Sequence, residues 1–396
     1  MNDAALENDI FIQYCMSLPR ELLQSVQLKA VTQVRSSEDY LPGITEQHGH
    51  DNYYQYRIGF HSLIADSLKL YPFKDVFWSE KYQPGSLYEN NQNYEPKDKK
   101  MSVHEPFPLL QTIVSVLSTG PVGPGDQVLN GKINPDLLMK TVSKNATLLK
   151  PDIPAIPTDY DMVGSGIGWQ NNKTEGLFYH TFTKFEVFGD NRDMKWQSAS
   201  EGKISWGYVL TVNQTADFSI ELNRLSLPNK NCFIYTNQNE NSTNWNYLVE
   251  KPAETDKIRF RKHNTTESMK PHEPFGGVQS LQMYTIAPIL TVQTRGKNAK
   301  KTDFAFLGEL DKIVPMSKNR VDTISLEENG LSLRLTGGIG ENITIFWMRL
   351  DDNKLINKTK TFADNIYIDF VITADEMNSE HIITMCWILV LALINL

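Results

Sequence analysis

Between residues 1 and about 160, short apolar runs alternate with stretches of helical spacing. IFIQYCMS (residues 10–17) is the first apolar run, and Pro19 then opens RELLQSVQLKA, with proline in the favoured first turn of a helix. VTQV (31–34) predicts a second strand, and YRIGFHSLIADSLKL (56–70) carries a helical pattern. DVFW (75–78) predicts a third strand, and FPLLQTIVSVLSTG (107–120) a helix closed by Gly120, after which GPVGPGD (120–126) leads into a loop. Such alternation implies parallel strands with covering helices.

From about residue 161 the period shortens. FYHTFTKFEVFG, YVLTVN, FSIEL, SLQMYTIAPILTVQT, TISL, LSLRLTG, ITIFWMRL and IYIDFVIT are β-branched or aromatic segments broken by Gly, Asn and Asp, the pattern of an antiparallel β-sandwich. PDIPAIPTD (151–159), with three prolines, is the linker or crossover between the two regions. The predicted division is therefore 1–160, 161–378 and an apolar tail, 379–396.

One count constrains the first region. A (β/α)8 barrel takes about 250 residues, whereas about four strand-helix units precede the β-rich region here. Half a barrel would leave its inward faces against water. The chain is then a fragment of a longer protein, pairs with another chain (a second copy included), or has a different α/β fold.

Composition narrows the function classes. The chain has 396 residues, 40% hydrophobic and 22% charged, which excludes a largely disordered protein and suits two or three domains. A formal charge of -8 argues against nucleic acid as the main partner. The basic runs KDKK (97–100) and RGKNAKK (295–301) read as solvated loops. Three cysteines, Cys15, Cys232 and Cys386, are too few and too dispersed for a disulfide framework or zinc site. Sequons at Asn145, Asn172, Asn213, Asn241, Asn264, Asn342 and Asn357 are compatible with glycosylation on a secretory route.

MNDAALENDI is acidic and lacks the apolar core of a signal peptide. IITMCWILVLALINL (382–396) is uncharged, shorter than the roughly 20 residues of a membrane span, and in the length range of a cleaved GPI-signal tail. A secreted or membrane-anchored protein, a buried last helix and a cytoplasmic chain all stay open. GSGIGW (164–169) lacks the strand-helix frame of a phosphate cradle, and HGHD (48–51) lacks a third distant ligand, so it reads as a polar loop; no metal or cofactor is expected.

VTQVRSSEDY (31–40) holds the main candidate chemistry, an arginine and two adjacent carboxylates where an alternating run ends. An ordinary surface ion pair is the alternative. The segments IQYCMS, VRSSEDY, LSTGPVGPGD, LLKPDIPAIPTD, LQMYTIAPI and FAFLGELDK stand in the order and spacing of the raffinose synthase and seed imbibition proteins, relatives of the α-galactosidases. The chain resembles that family from residue 10 to about 315, through the order of segments more than through any one of them.

The resemblance implies an α/β plus all-β fold: the C-terminal half of a (β/α)8 barrel, strands five to eight, followed by an antiparallel β-sandwich. It implies retaining cleavage or transfer of α-galactosyl groups on an oligosaccharide or glycan. Asp39 takes the acid/base role, with Glu38 the alternative, because neighbouring strand side chains point opposite ways. Arg35 would bind sugar hydroxyls or position the carboxylate. Trp78 is a candidate stacking platform or core or rim packing, Asp126 a hydroxyl acceptor or turn aspartate, and Cys15 a pocket wall or a buried structural thiol. The family's nucleophile, an aspartate on the fourth barrel strand, has no counterpart; FKD (73–75) and KPD (150–152) sit in the wrong context. Retention needs two carboxyl groups about 5 Å apart, so a binding or structural module without turnover is the alternative function.

Overall fold

In the computed structural model, residues 1–17, 19–40, 58–86, 105, 107–130, 132–158, 177–214, 217–227, 231–237, 257–260, 280–294 and 300–378 are described. Seventeen strands and six helices follow in chain order among them. The first region holds helices α1 (Asn2–Glu7), α2 (Pro19–Gln24), α3 (Gly59–Ser67), α4 (Pro108–Leu117) and α5 (Pro135–Met139) around strands β1 (Ile12–Tyr14), β2 (Val31–Arg35) and β3 (Tyr71–Phe73). These strands form a small parallel sheet in the order β1-β2-β3. Leu22, Val31, Val34, Ala65 and Leu70 make a local core where α2 and α3 cover it.

The second region is strand-rich: β4 (Ile156–Pro157), β5 (Leu177–Gly189), β6 (Met194–Trp196), β7 (Lys203–Val212), β8 (Phe218–Glu221), β9 (Cys232–Asn237), β10 (Lys257–Phe260), β11 (Leu281–Gln293), β12 (Lys301–Gly308), β13 (Val321–Glu327), β14 (Gly330–Thr336), β15 (Asn342–Arg349), β16 (Lys354–Thr361) and β17 (Tyr367–Ile372), closed by α6 (Ala374–Asn378). Nine of them run β16-β15-β12-β11-β7-β5-β13-β14-β17, while β4 adds to β5, and β6 and β9 add to β11. The pairings are antiparallel except β5 with β13, which is parallel, and β8 pairs separately with β10. At the two ends of the path, Lys358 Nζ on β16 donates to the Val371 carbonyl of β17 (2.6 Å) and Lys360 Nζ to that of Asp369 (2.5 Å). Side chains thus bring the edges of the sheet together without a backbone ladder.

The expected half barrel with a purely antiparallel sandwich does not hold. The chain is mostly β, its large sheet is mixed and nearly closed, and the parallel part has three short strands with few helices. Proline chemistry accounts for part of the difference. DVFW is not a strand: only Phe77 bridges, to Pro124, and the segment 120–125 meets 72–77 through three backbone bonds from Gly120, Phe77 and Gly125. Pro121 and Pro124 have no N–H to extend that ladder. The proline-rich crossover, moreover, joins the large sheet as β4 on β5. VTQVR, expected on one of the second-half barrel strands, is instead the middle strand of the three-stranded parallel sheet.

One core runs under both regions. Ile113, Val116 and Leu117 of α4 pack in the same buried cluster as Trp206, Phe306 and Trp347 of the large sheet. Trp206 is edge-on to Phe185, Trp196 and Phe306, and its indole N–H donates to the Phe306 carbonyl (2.8 Å). At Gly120, a Cβ would lie 2.4 Å from the Pro72 carbonyl oxygen and 2.7 Å from Phe73 Cβ. Gly120→Ala should therefore destabilise the protein by about 1–3 kcal/mol, read as a lower denaturant midpoint with an unchanged slope.

Candidate site at the ends of the parallel strands

The C-terminal ends of β1, β2 and β3 bring together Cys15, Ser17, Arg35, Ser36, Ser37, Lys74 and Asp75. Parallel register does this: Ser17 N–H donates to the Arg35 carbonyl (3.2 Å), and Ser36 N–H to that of Phe73 (2.8 Å). Ligands of open parallel sheets characteristically bind outside the carboxyl ends of the strands.

Arg35 is buried at the centre. Its Nη2 donates to Asp39 Oδ1 at 2.7 Å, and its Nη1 lies 3.1 Å from Asp75 Oδ1. Burial alone would weaken its hold on the proton. The hydrogen bond to Asp39 and the charges of Asp75, Cys15 and Asp39 outweigh that and raise its pKa. One planar fork thus gathers two carboxylates. They differ in freedom: the Asp39 side chain is 64% exposed and that of Asp75 only 19%. Asp75 Oδ2 accepts from Tyr40 N–H (2.8 Å), and its own N–H donates to Ser37 Oγ (2.7 Å).

Behind these groups lies a second, buried layer. The Tyr40 hydroxyl donates to Glu105 Oε2 (2.7 Å) and accepts from the Trp78 N–H (3.2 Å), while Phe107 N–H donates to Glu105 Oε1 (2.9 Å). Lys74 is 2% exposed. Its Nζ donates to the carbonyls of Asp75 (2.8 Å) and Val76 (3.1 Å), and it sits over the rings of Tyr40 and Phe77 at 5.4 and 5.1 Å. Burial pushes Lys74 down to about 7, against the pull of Glu105 and Asp75. Burial likewise raises Glu105, against hydrogen bonds from Tyr40 and Phe107 and the charge of Lys74.

The residues singled out from sequence fall into different settings. Arg35 and Asp39 are joined directly, and Glu38 is exposed beside them. Cys15 is exposed rather than buried, close enough for its charge to bear on Arg35. The Trp78 ring is buried and edge-on to Tyr40 at 6.2 Å, the packed arrangement rather than an open platform. Asp126 Oδ1 accepts from Ser79 N–H and Gln83 Nε2, both at 2.7 Å, which braces the 79–83 turn against the loop after Gly125. Burial raises its pKa against those bonds.

Asp75, Lys74, Tyr40 and Glu105 were not legible as a group, since 35 to 65 residues of chain separate their partners. FKD carried the signal for Asp75, in that the triplet ends a third parallel strand. HGHD, GSGIGW, the apolar tail and the sequons at Asn172, Asn241 and Asn264 lie outside the described residues. Asn145 and Asn342 are exposed, and Asn213 and Asn357 half-buried. Among the described residues no helix is long and apolar enough to cross a membrane, and no three His, Cys, Asp or Glu side chains gather as a metal site. No family model matches the chain, and no curated protein matches it.

Proposed function

We propose that the protein acts on carbohydrate bearing α-galactosyl groups, with Asp39 as the acid/base and Arg35 as the residue that positions it. The observation carrying this reading is the Arg35 fork, which fixes a largely exposed carboxylate, Asp39, at the C-terminal ends of parallel strands. Its segment order, similar to that of the raffinose synthase and α-galactosidase group, supplies the substrate class. A fixed carboxylate beside a glycosidic oxygen can hand a proton to the departing sugar and recover it from water or from an acceptor hydroxyl.

A second reading, recognition without turnover, is supported by Asp75. Both its oxygens are engaged, by Arg35 and Tyr40 N–H, so it serves as a brace rather than an attacking group. Turnover of a chromogenic α-galactoside separates the two. On the first reading the 396-residue chain cleaves it, and Asp39→Asn lowers kcat by about 10²–10⁴-fold. Saturable binding of raffinose without cleavage establishes the second, and neither binding nor cleavage overturns both.

A further inference from the structure

Strand β1 is an outer strand of the parallel sheet, and among the described residues it is paired on one side only, by β2. Its Ile12 N–H donates to the Ala30 carbonyl (2.7 Å), so Ile12 faces β2 and the backbone groups of Phe11 and Gln13 face the open side. The side chains alternate accordingly. Ile12 and Tyr14 lean on the core under α2 and α3, while Phe11, Gln13 and Cys15 are exposed on the other face. Soluble proteins guard an open edge with lysine or proline. Lys358 and Lys360 serve the ends of the large sheet in that way, but residues 10–18 hold no charged residue and no proline. Of the eighteen large apolar side chains exposed among the described residues, seven fall within residues 1–26, including Ile10, Phe11 (73% exposed), Met16, Leu23 and Val26. An unguarded edge with this much apolar surface beside it has the form of a contact surface.

We propose that β1 pairs antiparallel with β1 of a second copy of this chain, across a two-fold axis at Gln13. Self-match selects a copy over other extended segments. With Gln13 opposite itself, Phe11 lies opposite Cys15 of the other copy and Ile12 opposite Tyr14, so apolar side chains meet on both faces. The outward backbone groups of residues 11, 13 and 15 then face one another, as an antiparallel ladder requires. Asp9 and Met16 have positive φ (55° and 43°) and turn the chain at either end, which confines the ladder to the residues between them. Charge follows the same symmetry. Beyond the strand, Glu7 and Asp9 of one copy approach Arg20 of the other, whose side chain is 82% exposed beside Glu21. Because the strands run antiparallel, the two Asp39 sites lie at opposite ends of the joined sheet. The pairing does not rest on the carbohydrate reading.

Sedimentation equilibrium of the full chain tests the surface, and the parent should reach twice the mass of one chain. Gln13→Pro removes an outward N–H and leaves the bonds to β2 in place, so it should melt with the parent yet sediment as a monomer. Phe11→Lys, which restores the missing guard, should do the same. Register is tested by Phe11→Cys, which sets a thiol opposite Cys15 of the other copy at a separation that a disulfide spans. With oxidised glutathione as oxidant, this variant should give a covalent dimer whose peptide map joins residues 11 and 15. A parent that stays monomeric up to about 100 μM, a trimer or larger ring, or a dimer that survives both Gln13→Pro and Phe11→Lys refutes the proposal. A covalent dimer joined from Cys15 to Cys15 overturns the axis at Gln13. Should Gln13→Pro fail to fold, Phe11→Lys and the cross-link decide.

Discussion

Replacing Arg320 with alanine should lower stability by about 3–5 kcal/mol, a large share of the roughly 5–15 kcal/mol that holds a typical domain folded. Arg320 is 1% exposed and sits where β13 meets the turn after β14. Nε donates to Glu309 (2.8 Å), Nη2 and Nη1 to the two oxygens of Glu341 (2.5 and 3.1 Å), and Nη1 also to the Thr336 carbonyl (2.6 Å). Glu341 reaches further, accepting from Gly338 N–H (2.8 Å) and from Lys144 N–H (3.0 Å) of the first region. Alanine would strand two buried carboxylates and loosen that joint. Lysine should not rescue it, since a point charge cannot serve three acceptors in a plane.

The two carboxylates make opposite contributions across pH. Burial works against ionising Glu341, but the hydrogen bonds from Arg320 and Gly338 outweigh it and hold its pKa down. Its contribution is therefore present above the ordinary glutamate value of about 4.3 and lost as pH falls below it. Burial pushes Glu309 up to about 7 in spite of Arg320. Its contribution is full at low pH and lost as pH rises through about 7. Chemical denaturation of the parent and of Arg320→Ala from pH 3 to pH 8 should show the difference between them shrinking toward the acid end.

The second large effect is expected at Lys74, whose replacement by methionine should cost about 2–5 kcal/mol at neutral pH, because it leaves the carbonyls of Asp75 and Val76 without their buried donor. The damage should be felt at the site. Lys74 ties the carbonyls of Asp75 and Val76, and Asp75 in turn holds Arg35 and the Tyr40 backbone. In the parent, Lys74 titrates near 7 when folded and near 10.4 when unfolded. Between those values the unfolded chain binds the extra proton, so this group's contribution rises with pH and is complete above about 10. Loss of that rise in Lys74→Met, seen in denaturation midpoints between pH 7 and 10, would confirm the assignment; an unchanged profile would refute it.

How far the sequence could be read depended on whether the signal was local. The eight apolar segments picked out beyond residue 161 coincide with β5, β7, β8, β11, β13, β14, β15 and β17, where branched and aromatic residues crowd together. KLINKTKT, whose lysines mask its alternation, forms β16. The sheet order was hidden for a different reason. The parallel pairing of β5 with β13 joins residues 187–189 to 324–326, and nothing in either segment encodes the other. In the first region the apolar runs were real but short, and prolines at 72, 121 and 124 limited what they could pair with. At the site, the Arg35 and Asp39 contact lies within one short stretch, RSSED, so its members could be read together. Glu105 and Lys74 gain their roles only from burial.

The lysine seam between β16 and β17 also bears on how this chain behaves among other chains. The ends of a large sheet normally offer rows of unpaired carbonyls and amides to any extended segment nearby. Here the Val371 and Asp369 carbonyls are already held by ammonium groups, and an incoming strand would have to evict two charges before forming its first hydrogen bond. Growth by edge-to-edge addition, the route to fibrils, is thereby discouraged at the two end strands of the path, the eight-residue β16 and the six-residue β17.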